Sequence, residues 1–409
     1  MTLVSDLAPA GRSLARLARD WLRLREQELL GVLTDLVGRD SPTGDPAGLG
    51  ACSGALAQLF GSVGDVTVHA VHGRQHLQVD VGDVLVDGHP LVMCHYDTVW
   101  PAGTADAWPL SLNNGIVRGP GVLDMKASIA MTLFALRAVQ ACQAPLPGGA
   151  RVLLTADEEE GNPTSRELIR ELSRQAAVAL VLEPPLPDGR LKTQRKGVAH
   201  VMVRLTGRAA HAGIEPEAGA SAALAAARFA LAASELAAAA PGASVNVGVL
   251  RAGERRNVVA ERGELELDVR AFDEQTIQLV LDALTRAAAE TKDGVAVEVT
   301  TTLRRPPLVR ADAVDLLLEI ARYVADPLGM SIREGESGGG SEGNLVAAVG
   351  VPVLDGLGAE GGGAHSRGEH VLLASVLQRT AFLAGLIRAL SGLRAKGPAA
   401  AAGPPRSER

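Results

Sequence analysis

Histidine and carboxylate residues follow two short apolar segments in the first third of the chain. His95-Tyr96-Asp97 comes directly after PLVMC, and Asp124 lies in RGPGVLDMKAS, just before a predicted helix. A neutral histidine nitrogen is a common zinc ligand, and an aspartate two residues later can fix the tautomer by accepting the other ring N–H. Taken singly, a solvated strand end explains His95 and Asp97, and a helix N-cap explains Asp124.

Three further segments carry the same residue types. Four acids at 157–160 follow the apolar run RVLLTA, Glu183 ends LVL before two prolines, and His365 lies in EGGGAHSRGEH. Taken singly, they fit a solvated charge run, the start of a loop and a mobile surface loop. Together, two histidines and several carboxylates in separate loops match a metal site with nitrogen and oxygen ligands. A shared carboxylate would suit a two-metal hydrolase, in which the ions lie about 3.5–4 Å apart.

Short apolar runs alternate with helical patterns over the first half of the chain and must position these residues. Segments 90–94, 151–156 and 179–182 predict buried strands, and 128–140 predicts a helix. This alternation favours a mainly parallel sheet with helices on its faces. Loops at the strand ends of such open sheets form binding sites. The first 40 residues, with leucines at helical spacing, predict amphipathic helix.

The hydrophobic pattern changes after about residue 195. VAHVMVRLT and ELELDVR alternate apolar and polar residues, which predicts half-buried strands of a sheet with one solvated face. With an alanine-rich helix at 218–240 and a second helix near 274–290, the order is typical of a ferredoxin-like α+β domain. We therefore expect an α/β fold with a smaller inserted domain. The predicted bounds are 1–195 and 307–395 for the α/β domain, 196–306 for the insert and 396–409 for a disordered tail.

Composition excludes several classes of protein. With 47% hydrophobic and 21% charged residues, the 409-residue chain can bury a large core. A net charge of −7 and 2% aromatic residues argue against a nucleic-acid partner. Three widely spaced cysteines form no disulfide framework, which favours a reducing compartment. Because we see neither an export signal nor an apolar run of about 18 residues, we expect a cytoplasmic protein without a membrane partner.

Six sequence blocks together resemble one known family. HYDTVWPAGT, RGPGVLDMKAS, DEEEGNPTSR, LEPP, GRAAHAG and ESGGGSEGN–GGGAHS occur in the order found in the co-catalytic zinc aminoacylase and carboxypeptidase family. This family includes glutamate carboxypeptidases of the G type, succinyl-diaminopimelate desuccinylase and acetylornithine deacetylase. The resemblance extends over roughly residues 30–390, and the carboxypeptidase G type is the most similar.

The resemblance implies a centre with two divalent metal ions, zinc by expectation, with cobalt and manganese as alternatives. His95 would bind one ion and His365 the other, while Asp124 would bridge both. Glu183 would complete the site that contains His95, and Glu159 the site that contains His365.

The resemblance also implies roles around the metal ligands. Asp97 would orient His95, and Glu158 would act as the general base. Glu158 would take a proton from the metal-bridging water and later pass it to the leaving amine. The peptide bond Asp124–Met125 is a candidate for the rare cis form.

The inserted domain would serve as a lid and dimerisation module. By resemblance, His211 in GRAAHAG would reach the partner subunit's site and polarise the scissile carbonyl. Asn257, Arg270 and Arg305 resemble residues that bind the substrate end, where an arginine can grip a carboxylate. Each arginine could instead be a solvated surface charge, and three neighbours compete for the assignment: Arg255, Arg256 and Arg304.

The expected activity is metal-dependent amide hydrolysis by a homodimer, which would release a C-terminal amino acid from a small peptide or N-acyl amino acid. Glutamate is the leading candidate for that amino acid. An N-acyl amino acid deacylase is the alternative within the enzyme class. A catalytically inactive binding protein on the same scaffold is the alternative outside it, and the presence of every expected ligand disfavours it. Three positions depart from the family pattern without removing a ligand: Cys94, Asn162 and Glu342.

Overall fold

The computed structural model describes residues 2–86, 88–291 and 294–394. The predicted disordered tail at 396–409 lies outside the described residues. The chain divides into two units. The first comprises Met1–Thr193, Ala311–Gly335 and Val349–Arg409, and the second Gln194–Arg310 and Glu336–Ala348.

The helices and strands are numbered in chain order. The helices are α1 (Thr2–Arg23), α2 (Glu26–Val37), α3 (Pro46–Phe60), α4 (Thr104–Ala107), α5 (Ala127–Ala141), α6 (Arg166–Ser173), α7 (Ala222–Ala239), α8 (Glu274–Ala289), α9 (Ala313–Ala325), α10 (Glu342–Ala347) and α11 (Leu373–Leu390). The strands are β1 (Asp65–Val71), β2 (Arg74–Val81), β3 (Pro90–His95), β4 (Ser111–Asn113), β5 (Ile116–Arg118), β6 (Ala150–Thr155), β7 (Val178–Val181), β8 (Leu191–Arg195), β9 (Gly197–Thr206), β10 (Ser244–Ala252), β11 (Arg262–Ala271), β12 (Ala296–Arg305), β13 (Glu334–Ser337), β14 (Val353–Leu354), β15 (Gly361–Gly362) and β16 (His370–Leu372).

The first unit is built on a six-stranded sheet with the order β1-β2-β6-β3-β7-β14. The four strands from β6 to β14 are parallel, and β2 pairs antiparallel with β6. Every residue of β3, β6 and β7 is buried, because helices cover both faces of a parallel sheet and leave no solvated side. The predicted α/β fold with a mainly parallel sheet is confirmed. A smaller sheet, β15-β16-β5-β4, lies in the same unit.

Helices α5 and α11 are apolar around most of their circumference and lie inside the first unit, where α11 contacts α1 and α5. Among the described helices, α11 is long and apolar enough to cross a membrane, a length of apolar sequence that we did not expect. Its 18-residue apolar window is 78% buried inside the fold, as in the core helix of a globular protein. The helix therefore gives no support to a membrane span.

The second unit contains an antiparallel sheet with the order β10-β11-β9-β12. In chain order its elements run β9-α7-β10-β11-α8-β12, which is the predicted ferredoxin-like arrangement. Alternation along β9 buries Val201, Val203 and Leu205 and leaves His200 and Arg204 exposed, so one face packs and the other is solvated.

The second unit is two residues longer at its start and four longer at its end than the predicted 196–306, and it gains one separate segment. That segment, Glu336–Ala348, belongs to the second unit, whereas the sequence pattern predicts it in the first. Its backbone is held there by polar contacts: the Arg195 guanidinium donates to the carbonyl oxygen of Gly339 (3.1 Å), and the Asn344 amide donates to that of Pro306 (2.8 Å). These side-chain contacts have no hydrophobic period, so pattern analysis could not assign the segment correctly.

Candidate metal centre

His95 is the last residue of β3, and its side chain is only 1% exposed. Its Nδ1 lies 3.0 Å from the backbone oxygen of Asp97 and 3.4 Å from the Asp97 carboxylate. Its Nε2 faces two other acids, Asp124 at 3.0 Å and Glu183 at 3.6 Å. Burial opposes protonation of His95, but hydrogen bonds to Asp124 and Asp97 outweigh it and raise the imidazole pKa well above its usual value.

Asp97 connects the β3 end to the segment that follows β6. Its buried carboxylate accepts hydrogen bonds from the backbone N–H groups of Glu158 (3.1 Å) and Glu159 (3.2 Å) and from the Thr43 hydroxyl (2.8 Å). One carboxylate thus restrains both the first histidine and the backbone of the two acids. The predicted contact between Asp97 and His95 is present, with the backbone oxygen nearer than the carboxylate.

Asp124 lies between the two predicted histidine ligands. Its Oδ1 is 3.0 Å from His95 Nε2, and its Oδ2 is 3.3 Å from His365 Nε2. Burial raises the Asp124 pKa, but hydrogen bonds from His365 and His95 outweigh it and hold the pKa well below its usual range. The peptide bond from Asp124 to Met125 is cis, as the family resemblance implies. The preceding Gly121 is left-handed at φ +68°, and a Cβ there would lie 2.7 Å from Thr98 Cγ2.

The outer two acids of the 157–160 run have structural partners. Asp157 is fully buried and accepts hydrogen bonds from the backbone N–H groups of Thr164 (2.6 Å) and Ser165 (3.0 Å). Glu160 accepts two hydrogen bonds from the Arg74 guanidinium, at 2.9 and 2.8 Å. The run is therefore not a solvated charge run, and its central pair remains for chemistry.

The central pair, Glu158 and Glu159, faces the histidines. Glu159 Oε1 lies 3.2 Å from His365 Nε2 without making a hydrogen bond, and this buried oxygen has no hydrogen-bond partner among the described residues. Burial raises the Glu159 pKa. The carboxylates of Asp124 and Glu159 raise the pKa of half-exposed His365 to about 10.

These donors fit a divalent metal ion. One ligand atom each from His95, Glu158 and Glu183 lie within 4.8 Å of one another, and so do atoms from His95, Asp124 and Glu159. Imidazole nitrogens with carboxylate oxygens suit zinc, cobalt or manganese. Carboxylates gathered this closely repel one another unless a cation lies between them. Glu159 Oε1 is a buried acceptor in this group that has no hydrogen-bond partner in the part of the chain that the structure describes.

Glu369 belongs to this region but was missed by sequence reasoning. Its fully buried carboxylate accepts hydrogen bonds from the Trp100 indole and from three backbone N–H groups in the turn around Asp124, those of Gly121, Leu123 and Asp124. Burial raises its pKa. It lies in the same glycine-rich block as His365, but neither spacing nor periodicity distinguished it from a surface acid.

The four remaining predicted site residues lie in the second unit. His211 and Asn257 lie near each other, because the backbone N–H of Ala212 donates to the Asn257 carbonyl at 3.1 Å. Arg270 donates twice to Asp268, at 2.7 and 2.9 Å, so its paired donors already hold a carboxylate. Arg305 is buried, with 6% exposure.

The acids and histidines gathered beside the parallel sheet form a donor set that suits a divalent metal ion, and comparisons with known proteins identify the class of enzyme. A sequence profile described as peptidase family M20/M25/M40 matches residues 91–389. The chain belongs to this family and is an enzyme with hydrolase activity. The family resemblance expected from sequence is confirmed.

Individual relatives span several activities. Carboxypeptidase G2 from Pseudomonas sp. (strain RS-16) is 29% identical over 370 residues, covering 88% of each chain. Acetylornithine deacetylase from Myxococcus xanthus is 29% identical over 324 residues, covering 73% of this chain and 78% of that protein. A tripeptidase structure from Staphylococcus aureus has a TM-score of 0.76 at 24% identity, covering 90% of this chain and 98% of its own, and it supports the fold alone.

Proposed function

We propose that this hydrolase is a dinuclear metallocarboxypeptidase that releases a C-terminal amino acid from a peptide or an N-acyl amino acid. Glutamate is the leading candidate for the released amino acid. The observation that carries the proposal is the position of Asp124, whose two carboxylate oxygens face two different histidines. Each histidine has a further carboxylate beside it, Glu183 for His95 and Glu159 for His365. The similarity to carboxypeptidase G2 along 88% of the chain supports the choice of substrate class.

The proposed ligand sets share Asp124. His95 and Glu183 complete one set, and His365 and Glu159 complete the other. Zinc is the proposed metal, because two imidazoles with carboxylates form a donor set that zinc favours, and cobalt and manganese accept the same donors. When bound, two such ions supply a water of lowered pKa and a Lewis acid for the carbonyl oxygen.

Glu158 is the proposed general base. It takes a proton from the attacking water and passes it to the leaving amine. Its backbone N–H is fixed by the Asp97 carboxylate at 3.1 Å, which orients the residue before substrate binds. Because Glu158 also lies within reach of a metal-ligand group with His95 and Glu183, its role as base rather than ligand rests on the family resemblance.

The second unit is proposed to supply the substrate contacts. His211 polarises the scissile carbonyl in the site of a partner subunit of a homodimer, while Asn257, Arg270 and Arg305 bind the carboxylate end of the substrate. Arg270 would share its guanidinium between the substrate and Asp268, which it already contacts. The three cysteines, all among the described residues, form no disulfide, which supports a reducing compartment, and we propose the cytoplasm.

A second candidate activity is N-acyl amino acid deacylation. The acetylornithine deacetylase relative supports it over 73% of this chain, and the same metal centre would perform it. The two activities differ in which side of the amide bond the enzyme selects: the carboxypeptidase discriminates among C-terminal amino acids, and the deacylase among acyl groups.

A metal-restoration assay over a substrate panel tests both proposals. The metal-free protein is titrated with zinc or cobalt and assayed on N-acyl amino acids and dipeptides that vary one side of the bond at a time. We expect activity to saturate near two ions per chain, with the largest kcat/KM for C-terminal glutamate. Stronger discrimination among acyl groups would establish the deacylase, and full metal binding without turnover would establish the binding protein.

A further inference from the structure

One buried carboxylate, Glu369, holds the turn that presents Asp124. Its Oε1 accepts the backbone N–H groups of Leu123 (2.9 Å) and Asp124 (3.1 Å). Its Oε2 accepts the backbone N–H of Gly121 (3.0 Å) and the indole N–H of Trp100 (2.8 Å). Four donors converge on a side chain with no exposed surface, which is a strongly restrained arrangement.

The backbone of Glu369 closes the loop that carries His365. The Glu369 N–H donates to the Ser366 carbonyl at 3.0 Å, and the Ser366 N–H and hydroxyl both donate to Gly363, at 3.0 and 2.8 Å. His365 itself has φ +60°, in the left-handed region that is unfavourable for a residue with a Cβ. Such a conformation persists only where neighbouring contacts impose it.

A second contact ties the same loop to Trp100. The Arg367 guanidinium lies over the rings of Trp108 (5.3 Å) and Trp100 (5.8 Å), and the two rings meet edge to face at 5.2 Å. Trp100 therefore contacts the loop through its ring face and Glu369 through its N–H. The loop that carries His365 and the turn that carries Asp124 are therefore held together by contacts of Arg367, Trp100 and Glu369.

We propose that Glu369 is a positioning residue that sets the separation of Asp124 from His365. This inference rests on the dinuclear centre proposed above. His95 is fixed independently, by its place in β3 and by Asp97. The Glu369 contacts hold two members of the set formed by Asp124, Glu159 and His365, but only Asp124 in the set formed by His95, Asp124 and Glu183. Loss of the Glu369 carboxylate therefore weakens the first of these sets more than the second.

Glu369→Gln is the main test. The substitution keeps the size of the side chain but replaces one of its two acceptor oxygens by an NH2 group, which cannot accept a hydrogen bond. Two of the four N–H donors therefore lose their acceptor. Cobalt titration followed by absorption, with a competing chelator, resolves the first and second ions. We expect the ion held by Asp124, Glu159 and His365, called the second ion, to bind roughly 10–100-fold more weakly, the usual effect of losing a hydrogen-bond partner that orients metal ligands. The other ion should lose clearly less affinity.

Two further variants separate positioning from general stability. Trp100→Phe removes one of the four donors, and we expect a smaller loss at the second ion. Asp80→Asn is the matched control, because it breaks the Asp80–Arg151 pair (2.6 Å) far from the candidate metal centre. Arg151 lies near the start of β6, whereas Thr155, which pairs with His95, lies at its end. This control should lower the thermal midpoint and leave both metal affinities unchanged.

The outcomes distinguish this inference from the proposed function. Wild-type protein that binds fewer than two ions would overturn the dinuclear centre itself. If wild type binds two and Glu369→Gln loses neither, or loses both to the same degree, the positioning role is wrong. If Glu369→Gln does not fold, an unchanged second-ion affinity in Trp100→Phe overturns the inference, and a selective loss supports it.

Discussion

The metal centre of the first unit and the His211 region of the second unit place their histidines in opposite surroundings. His95 is 1% exposed and its ring nitrogens face carboxylates of Asp97 and Asp124. His211 is exposed, and its Nδ1 accepts the backbone N–H of Gly213 at 3.2 Å. The first histidine is restrained by buried charge, whereas the second is restrained by a local turn.

The candidate ligands of the first unit are preorganised, whereas the substrate-binding candidates of the second unit are not. In the first unit, ligand atoms of His95 and two acids at a time lie within 4.8 Å of one another, and His365 lies 3.3 Å from Asp124, so the candidate ligands are already gathered. In the second unit, the substrate-binding candidates are spread over a turn, a loop and two strands, and Arg270 is already paired with Asp268. Under the proposed function, a substrate or a second chain would complete the contacts there.

The largest expected effect comes from Glu158, because it is the proposed general base and lies on the preorganised side of this comparison. Glu158→Gln should lower kcat by roughly 100–10,000-fold, the usual contribution of a general base, while two ions remain bound. Glu160→Gln is the matched control, since Glu160 binds Arg74 and not the centre. Loss of metal from Glu158→Gln, with metal retained in Glu159→Gln, would exchange the roles of base and ligand.

The next effect tests whether the second unit contributes chemistry at all. His211→Ala should lower kcat by roughly 100–1,000-fold, the usual loss of one carbonyl-polarising donor, with metal content unchanged. Equal mixing of His211→Ala with Glu158→Gln chains, followed by subunit exchange, should restore about a quarter of wild-type activity, because half the dimers are mixed and half their sites are whole. Exchange without recovery would exclude action across subunits.

A smaller effect is expected at the substrate carboxylate. Arg305→Lys should raise KM roughly 10–100-fold with little change in kcat, because a lysine cannot reproduce a paired guanidinium contact. Arg304→Lys is the control, since Arg304 pairs with Glu274 at 2.6 Å. Equal effects of the two substitutions, measured on the same glutamate substrate, would leave Arg305 without a specific role.

The sheet of the first unit was predictable because its strands are buried on both faces and appear as uninterrupted apolar runs, as in β3, β6 and β7. Residues placed at or directly after the ends of such runs converge at one sheet edge, so the sequence alone groups His95 with Glu183. In the second unit, alternation along β9 and β11 predicted the half-buried sheet equally well.

Contacts between distant side chains and backbone could not be predicted. Glu369 lies 245 residues from Asp124 in sequence and binds its backbone N–H, an interaction with no spacing rule. The same limit applies to Glu336–Ala348, whose unit is decided by polar contacts from residues such as Arg195. The four acids at 157–160 are also chemically alike in sequence, and only their partners in the fold separate structural from reactive members.

The smallest expected effect concerns the electrostatics of the second unit. Burial raises the Asp268 pKa, but hydrogen bonds from His200 and Arg270 outweigh it and hold the pKa well below its usual value. Because the folded pKa is depressed, this stabilisation is present above the unfolded value of about 3.9 and is lost as the pH falls through the folded pKa.

Asp268→Asn should therefore lower the unfolding free energy by about 1 kcal/mol or less at pH 7, since the pair is only partly buried and solvent screens it. The difference from wild type should shrink steadily as the pH falls below about 4, because the unfolded carboxylate binds a proton there while the folded one is still charged, and it should vanish once the folded carboxylate is also protonated. Paired urea titrations of metal-free protein at several pH values measure this difference. If the difference in unfolding free energy stays constant down to the lowest pH, Asp268 acts through packing rather than charge. The second unit would then owe no stability to the charge of this residue.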